Sequence, residues 1–216
     1  MADTASNNKR GLFIVLEGPD GAGISTQTAL LNSGLSSRGI RAIATKEPTA
    51  GPIGSLIRQV LTHRLVIPPA QPLGEDVVAL LFAADRLDHL HTDILPRLEA
   101  GTHVVCDRYR LSSYAYQGAA LGQEWVRALN RRSIAPDVTF FIDAPPEISQ
   151  ARIASRGHYV ELYETEERLR PVYAHYLQLV DEAREAGERI ITIDGRLAIG
   201  VIAATILQKT LELIDA

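Results

Sequence analysis

Short apolar runs alternate along this chain with longer segments in which apolar residues recur at helical spacing. Five apolar runs have the length and composition of strands buried in a parallel sheet. They cover residues 12–17, 40–45, 102–107, 137–143 and 188–194. Helical patterns lie between and after them, at about 26–38, 53–62, 75–99, 123–132, 145–156, 164–186 and 197–214, with a loop expected between residues 107 and 123. This alternation predicts an α/β fold in which helices cover both faces of a five-stranded parallel sheet.

The same pattern predicts how the chain is organised. Residues 1–10 are polar, and we expect them to form a flexible N-terminal tail. Residues 11–216 contain no repeat and no linker long enough to separate two domains. We therefore expect one domain, which the length of the chain also favours.

Composition narrows the classes of function. The 22 Lys and Arg residues are outnumbered by 26 Asp and Glu residues, which argues against a broad basic surface for duplex nucleic acid. A single cysteine excludes an intrachain disulfide framework and a cysteine-rich zinc site. No apolar run approaches the roughly 18–20 residues of a membrane span. We expect a soluble, cytoplasmic protein that binds neither nucleic acid nor membrane.

Ligands of such folds bind where the strands end, and the segment after the first strand carries suggestive chemistry. Residues 18–25 read GPDGAGIS and follow the phosphate-loop template G-x-x-x-x-G-K-[ST] between a strand and a helix. The glycines allow backbone N–H groups to converge on phosphate oxygens, and the helix N-terminus adds partial positive charge. Ser25 supplies the hydroxyl expected to bind Mg²⁺. This segment predicts a site for nucleotide phosphates.

One position departs from the template, since Ile24 stands where the lysine is expected. That lysine normally bridges the β- and γ-phosphates and stabilises charge during transfer, which an isoleucine cannot do. Losing one preorganised donor costs about a hundredfold to a thousandfold in rate, and losing a full charge costs more. Two alternatives stay open here: a glycine-rich turn that matches by chance, and a nucleotide site with impaired chemistry.

Further motifs follow the later strands. The segments EGPDGAGIST, TKEPTAGPIG, LLFAADRLDH, CDRYRLSSYAYQG and PDVTFFID resemble, in order and spacing, those of the thymidylate kinase family. The resemblance covers the chain from about residue 11 to 214. It implies a P-loop nucleoside monophosphate kinase fold and phosphoryl transfer from ATP to dTMP, giving dTDP and ADP in dTTP synthesis. It also implies Mg²⁺ as cofactor, a short lid at about 156–163, and a homodimer formed through the helix at 75–99.

The residues and the resemblance together assign the ATP side of the site. Asp107 ends a strand beside the phosphate loop, where a carboxylate would hold Mg²⁺ directly or through water, unless it caps a helix. Arg108 offers a rigid guanidinium fork for phosphate, unless it forms an ion pair with Asp107 or Glu47. The predicted catalytic residues are Asp107, Arg108 and Arg156, and the predicted metal ligands are Ser25 and Asp107. The predicted ATP-phosphate residues are Gly18, Gly21, Ala22, Gly23, Ile24, Ser25, Thr26 and Arg152.

The acceptor side is assigned in the same way. Phe82 and Arg86 share one helix face, where a ring can stack on a pyrimidine and a guanidinium can meet a carbonyl oxygen. Core packing is the alternative for Phe82, and Arg58 could be an ordinary residue of an amphipathic helix. The resemblance places Asp20 near the sugar 3′-hydroxyl, and Tyr116 where a ribose 2′-hydroxyl would sit. The predicted dTMP-binding residues are Asp20, Lys46, Glu47, Pro48, Arg58, Phe82, Arg86, Arg108, Ser113, Tyr116 and Gln117.

Three alternatives stand beside an active dTMP kinase. One is a catalytically impaired nucleotide-binding protein, which Ile24 motivates. Another is a kinase for a different pyrimidine deoxynucleotide, and a third is that Ile24 is an introduced substitution. In an active enzyme, Arg108 and Arg156 would carry part of the charge that the lysine normally supplies.

Overall fold

The computed structural model describes residues 10–62, 64–65, 73–155 and 166–216, without the side chains of 166–168. The predicted tail, apart from Arg10, and the predicted lid with Arg156 lie outside the described residues. The division into a tail and one domain therefore stays a prediction. Within the described part of the chain, no helix is long and apolar enough to cross a bilayer.

Five parallel strands form one sheet in the order β2-β3-β1-β4-β5. The strands are β1 (Phe13–Glu17), β2 (Ala42–Lys46), β3 (His103–Asp107), β4 (Val138–Asp143) and β5 (Ile190–Asp194). Each predicted strand is confirmed to within two residues at either end. The register pairs Leu16 of β1 with Asp107 on one side and with Phe140 on the other. The carboxyl end of β1 is thus the centre of the edge at which such sheets bind ligands.

Ten helices and one π-helical turn, Leu90–Ile94, are found among the described residues. The helices are α1 (Ile24–Ser36), α2 (Pro52–Leu61), α3 (Glu75–His89), α4 (Leu95–Glu99), α5 (Arg110–Tyr116), α6 (Gly118–Leu121), α7 (Gln123–Leu129), α8 (Pro146–Ser155), α9 (Glu166–Glu185) and α10 (Ile199–Ile214). They cover both faces of the sheet, which confirms the predicted fold class.

Helices on both faces explain why the strands are continuous apolar runs rather than alternating ones. On one face, Ile14 of β1 belongs to the same buried cluster as Leu31 of α1 and Ile206 of α10. On the other face, Phe13 shares a cluster with Ile94 of the π-helical turn. Every residue of β1 is buried as a result, so the segment that carries the glycine-rich loop is anchored in the centre of the core.

Two sequence predictions about helices were wrong in detail. The helix predicted at 75–99 is divided by the π-helical turn at Leu90–Ile94, just before Pro96, which has no backbone N–H to donate. The segment predicted as a loop before residue 123 contains α5 and α6. The N–H groups of Tyr109 and Ser112 donate to the Glu17 carboxylate at the start of α5. This contact between distant parts of the sequence satisfies N–H groups at the helix start, and no local pattern predicts it.

Candidate active site

The glycine-rich loop connects β1 to α1 and is shaped by backbone conformations that suit glycine. Gly23 precedes α1 with φ +92°, and Gly21 has φ +83°. A Cβ atom on Gly21 would lie 2.5 Å from the backbone oxygen of Ser149, so α8 packs directly on the loop. Ala22 is buried within the loop, whereas Ser25 and Thr26 are exposed in the first turn of α1. The loop therefore presents backbone N–H groups and a helix N-terminus, as an anion site requires.

The side chain of Ile24 does not project toward the phosphate site, as the lysine of the phosphate-loop template would. Its side chain is 4% exposed and belongs to the buried cluster that contains Leu16 and Ile142. A Cβ atom on Gly18 would lie 3.1 Å from Ile24 Cδ1, so the isoleucine packs against the inner side of the loop. The position that carries a cation in the phosphate-loop template is here part of the hydrophobic core.

Ser25 and Asp107 lie next to each other at the mouth of the loop. Ser25 Oγ, in the first turn of α1, donates a hydrogen bond at 2.5 Å to Asp107 Oδ2, at the end of β3. A hydroxyl and a carboxylate are both hard oxygen ligands of the kind that Mg²⁺ takes together with phosphate oxygens and water. The described residues contain no group of three or more His, Cys, Asp or Glu side chains that could hold a metal without a substrate. The donor set fits a metal that arrives with a nucleotide.

Arg108 is held against the loop from the end of β3. Its Nη1 donates to the Gly18 carbonyl oxygen at 2.9 Å, and its Nη2 donates to Asp20 Oδ1 at 2.6 Å. The guanidinium also lies 5.5 Å from the centre of the Tyr116 ring. The ion pair that the sequence analysis considered for Arg108 exists, but its partner is Asp20 rather than Asp107 or Glu47. Arg108 is the described cation that most directly contacts the phosphate loop.

Arg108 keeps its positive charge in this environment. Burial by itself would lower the pKa of Arg108, but Tyr116, Asp20, Tyr176 and Asp107 together raise that pKa well above its ordinary value. Tyr116 donates its hydroxyl to Asp20 Oδ2 at 2.9 Å and accepts the Asp20 N–H at 3.1 Å. Asp20, predicted near the acceptor sugar, thus bridges the loop, Arg108 and α5.

A single cavity joins the predicted acceptor residues. It encloses about 790 Å³ of empty space, its open mouth included. Its lining contains every predicted dTMP-binding residue except Arg58, namely Asp20, Lys46, Glu47, Pro48, Phe82, Arg86, Arg108, Ser113, Tyr116 and Gln117. Ser25 and Asp107 also line it, so the cavity begins at the metal-binding candidates. The structure brings the residues together, and their roles in binding stay predictions.

Arg58 lies outside the lining of this cavity. It donates to the Pro48 and Thr49 carbonyl oxygens and to Ser55 Oγ, at 3.1, 2.5 and 3.0 Å. Those contacts tie α2 to the loop after β2. In this arrangement Arg58 shapes the cavity wall through Pro48 rather than facing its interior.

Arg86 forms the floor of the cavity and is 2% exposed. Its Nε donates to Glu47 Oε2 at 2.8 Å, its Nη2 donates to Ser113 Oγ at 3.1 Å, and its Nη1 donates to Asn130 Oδ1. Glu47 also lies 3.2 Å from His89 Nδ1. Glu47 therefore fixes the guanidinium from behind, which explains why a carboxylate follows Lys46 at the end of β2.

Phe82 was interpreted from the sequence either as a stacking residue of the site or as a core residue, and its position fits both interpretations. It packs against the small cluster of Ile57 and Leu61, and it also lines the cavity. Two buried polar atoms of the lining, Tyr109 Oη and Gln117 Oε1, have no hydrogen-bond partner among the described residues. Buried polar groups are normally paired, so these two atoms are exceptions in the cavity wall.

The predicted ATP side is described only in part. Arg152 of α8 donates to the carbonyl oxygens of Ala22 and Gly195 at 3.3 and 2.8 Å, and so ties the loop to the segment after β5. Arg156 lies outside the described residues. Lys46 is exposed at the end of β2 and lines the acceptor cavity instead.

Sequence reasoning missed several residues of the site. Asn130 and Tyr176 contact Arg86 and Arg108, yet they lie outside every motif, and no spacing rule connects them to one. Glu17, His89 and Tyr109 lie inside the segments EGPDGAGIST, LLFAADRLDH and CDRYRLSSYAYQG, so their place in the motifs was a usable signal.

A parallel sheet of this order, with an anion-binding loop between β1 and α1 and an Asp-Arg pair from β3 at its mouth, defines a P-loop nucleotide kinase. Comparison with known proteins identifies the family. The thymidylate kinase family model matches residues 16–206.

Two relatives agree with this match. A protein of Thermococcus kodakarensis named as a probable thymidylate kinase is 46% identical over 173 residues, which cover 79% of this chain and 84% of that protein. The thymidylate kinase of an Exiguobacterium species is 35% identical over 208 residues, covering 94% of this chain and 95% of that protein. The chain belongs to the thymidylate kinase family, a family of phosphotransferases, which confirms the resemblance seen in its motifs.

Proposed function

We propose that this protein transfers the γ-phosphoryl group of ATP to dTMP, giving dTDP and ADP for dTTP synthesis. The observation that carries the proposal is the cavity in which ten of the eleven predicted dTMP-binding residues meet Ser25 and Asp107. Placing acceptor and donor in one site replaces a bimolecular encounter by a positioned reaction, which is the main source of rate in phosphoryl transfer. The cytoplasmic location expected from the sequence remains a prediction.

On the acceptor side, Phe82 would stack on the thymine ring while Arg86 and Ser113 face the base edge. Gln117 also lines the cavity, and its side-chain amide would lie beside the base edge. Tyr116, fixed by Asp20, would fill the space that a ribose 2′-hydroxyl needs and so favour deoxyribose. The acceptor phosphate would then lie toward Arg108.

On the ATP side, the loop would bind phosphates through backbone N–H groups and the N-terminus of α1. Ser25 and Asp107 would hold Mg²⁺, which when bound neutralises developing charge on the phosphates. Arg108 would supply the cationic contact closest to the loop in place of a lysine at position 24. Arg156 stays the predicted second cation on this side.

A second candidate is favoured by the burial of Ile24. If no other cation replaces the missing lysine, the same cavity would still bind dTMP. Phosphoryl transfer would then be too slow to measure or absent, and the protein would act by binding nucleotide. The acceptor side is intact in either case. Turnover with bound dTMP separates the two candidates.

We also propose that the protein forms a homodimer through α3. Val77 and Leu80 are 38% and 50% exposed, and their spacing places them on one face of the helix. Apolar side chains grouped on an exposed helix face are typical of protein interfaces.

The test is ADP release with Mg·ATP and a panel of acceptors: dTMP, dUMP, dCMP and TMP containing ribose. We expect kcat/KM for dTMP to exceed that for ribose TMP, because Tyr116 favours deoxyribose, and that for dCMP, because the base contacts match a pyrimidine with two carbonyl groups. A higher kcat/KM for another acceptor would assign the kinase to that nucleotide. Absence of ADP release with every acceptor, while calorimetry shows dTMP binding, would support the impaired nucleotide-binding protein.

A further inference from the structure

Glu17, the last residue of β1, is a buried carboxylate that the proposed reaction does not use. It is 0% exposed. Its Oε1 accepts the N–H groups of Tyr109 and Ser112 at 2.9 and 3.1 Å. Its Oε2 lies 2.7 Å from Ser112 Oγ and 3.1 Å from the Tyr176 hydroxyl, and these two hydroxyls lie 2.8 Å from each other. These contacts make the buried carboxylate the centre of a hydrogen-bond network rather than an isolated charge.

The network leads directly to Arg108. Arg108 Nη1 donates to Ser112 Oγ at 3.2 Å and to the Tyr176 hydroxyl oxygen at 3.3 Å, the same two hydroxyls that contact Glu17 Oε2. Arg108 is also the one non-glycine residue with positive φ in the described part of the chain, at +68°. The next N–H along the chain, that of Tyr109, is held by Glu17. Glu17 thus contacts both the backbone that follows Arg108 and the groups that hold its guanidinium.

The chemistry of a carboxylate fixes the direction of these hydrogen bonds. A carboxylate can only accept, so one of the two hydroxyls donates to Glu17, and the other, 2.8 Å from the first, donates either to Glu17 or to that hydroxyl. In each case the protons point away from Arg108, and oxygen lone pairs stay free for its guanidinium. Burial raises the pKa of Glu17, while the Ser112 hydroxyl, the Arg108 charge and the two backbone N–H groups oppose that rise. A glutamine at this position would turn its oxygen to the N–H groups and its NH₂ to the hydroxyls. The hydroxyl lone pairs would then be occupied, and their protons would turn toward Arg108.

We propose that Glu17 is a positioning residue for Arg108, which it acts on through Ser112, Tyr176 and the Tyr109 N–H. It holds Arg108 in the left-handed conformation and directs two hydroxyl acceptors at the guanidinium. Arg108 is thereby presented to the acceptor phosphate in a chain that has isoleucine at the lysine position of its phosphate loop. The inference rests on the proposed function only in taking dTMP as the ligand of the cavity.

The test compares the affinities of dTMP and thymidine, measured by calorimetry, because their ratio isolates the contribution of the phosphate. In Glu17→Gln we expect this ratio to fall about tenfold to a hundredfold, the value of a hydrogen bond to a charged group. The affinity for thymidine should stay unchanged. In an Arg108→Ala background, Glu17→Gln should cause no further fall in the ratio, since Arg108 is the group through which Glu17 acts.

A matched control is Asp137→Asn. Asp137 also accepts a backbone N–H from β1, that of Phe13, but at the opposite end of the strand from the cavity. We expect this variant to lower stability without changing the ratio of dTMP to thymidine affinity. If circular dichroism shows that Glu17→Gln does not fold, Ser112→Ala takes its place, since Ser112 Oγ joins Glu17 to Arg108. The same fall in the ratio is then expected.

Three results would overturn the proposal. One is a parallel loss of dTMP and thymidine affinity in Glu17→Gln, as a purely structural carboxylate would give. Another is a further fall in the ratio when Arg108 is already absent. The third is an unsubstituted protein that binds dTMP no more tightly than thymidine. All of these are binding measurements, so a protein that binds dTMP with a phosphate contribution but shows no turnover would refute the proposed function and leave this inference standing.

Discussion

At the level of single residues, two side chains determine the positive charge available at the phosphate site. Ile24 cannot supply a cation there, whereas Arg108 can. Sequence predicted both as site residues, and it predicted the importance of Arg108. It did not predict that Ile24 packs into the core, because a template gives the identity of a residue and not the direction of its side chain. Nor did it predict Asp20 as the ion-pair partner of Arg108, since the two residues are 88 positions apart.

A first prediction concerns the stability cost of restoring the lysine. Ile24→Lys should lower the free energy of unfolding by about 1–3 kcal/mol, because it removes a buried apolar side chain and brings an ammonium group to an apolar cluster. Urea unfolding followed by circular dichroism measures the change. Ile24→Met is the control and should cost less than about 1.5 kcal/mol, since it keeps the volume and stays apolar. An Ile24→Lys protein as stable as the parent would mean that position 24 faces the phosphate site.

At the element scale, all five strands were predictable, because each is a continuous apolar run between helical segments. α5 was not, because part of its stabilisation comes from Glu17 on a distant strand rather than from its own sequence. The π-helical turn at Leu90–Ile94 has a local cause in Pro96, but the apolar periodicity on both sides masks it.

A second prediction concerns the pairing of β1 with β3. The Leu12 N–H donates to His103 Nδ1 at 3.0 Å, so the ring must be neutral at that nitrogen. Burial lowers the pKa of His103 below its ordinary value of 6.5, although Asp137 opposes the shift. The unfolded chain therefore takes up a proton at a higher pH than the folded chain does. The stability that His103 contributes is complete above about pH 6.5 and is lost as the pH falls below it.

Urea unfolding at pH 7, 6 and 5 measures this effect. The decrease in the free energy of unfolding over that range should be smaller in His103→Asn, whose amide oxygen can still accept the Leu12 N–H but does not titrate. An identical decrease in the two proteins would show that His103 takes no part in the pH dependence.

At the scale of the whole molecule, the strand order explains how the cavity forms. Because β1 lies between β3 and β4, the loop that follows β1 meets Asp107 and Arg108 at the end of β3, and β2 beyond it contributes Lys46 and Glu47. Sequence reasoning anticipated this gathering, since the ends of parallel strands share one edge. It could not anticipate the contribution of Asn130, because α7 reaches Arg86 through packing rather than through the sheet.

A third prediction, also at this scale, is the homodimer. We expect sedimentation velocity to show a dimer for the unsubstituted protein and a monomer for Leu80→Glu, because a carboxylate would be buried in an apolar interface. Ile199→Glu is the matched control, since Ile199 is 57% exposed on α10, and this variant should stay dimeric. A monomeric unsubstituted protein, or dissociation of both variants, would contradict an interface at α3.

The central claim is that this phosphate loop transfers a phosphoryl group without its lysine. The most direct measurement is the rate of dTDP formation at saturating dTMP and Mg·ATP, compared between the unsubstituted protein and Ile24→Lys. We expect the unsubstituted protein to turn over at about 1–100 per second, the usual range for kinases, with Arg108 among the residues that supply the charge. An unsubstituted protein that binds dTMP but forms no dTDP, while Ile24→Lys forms it readily, would contradict the claim.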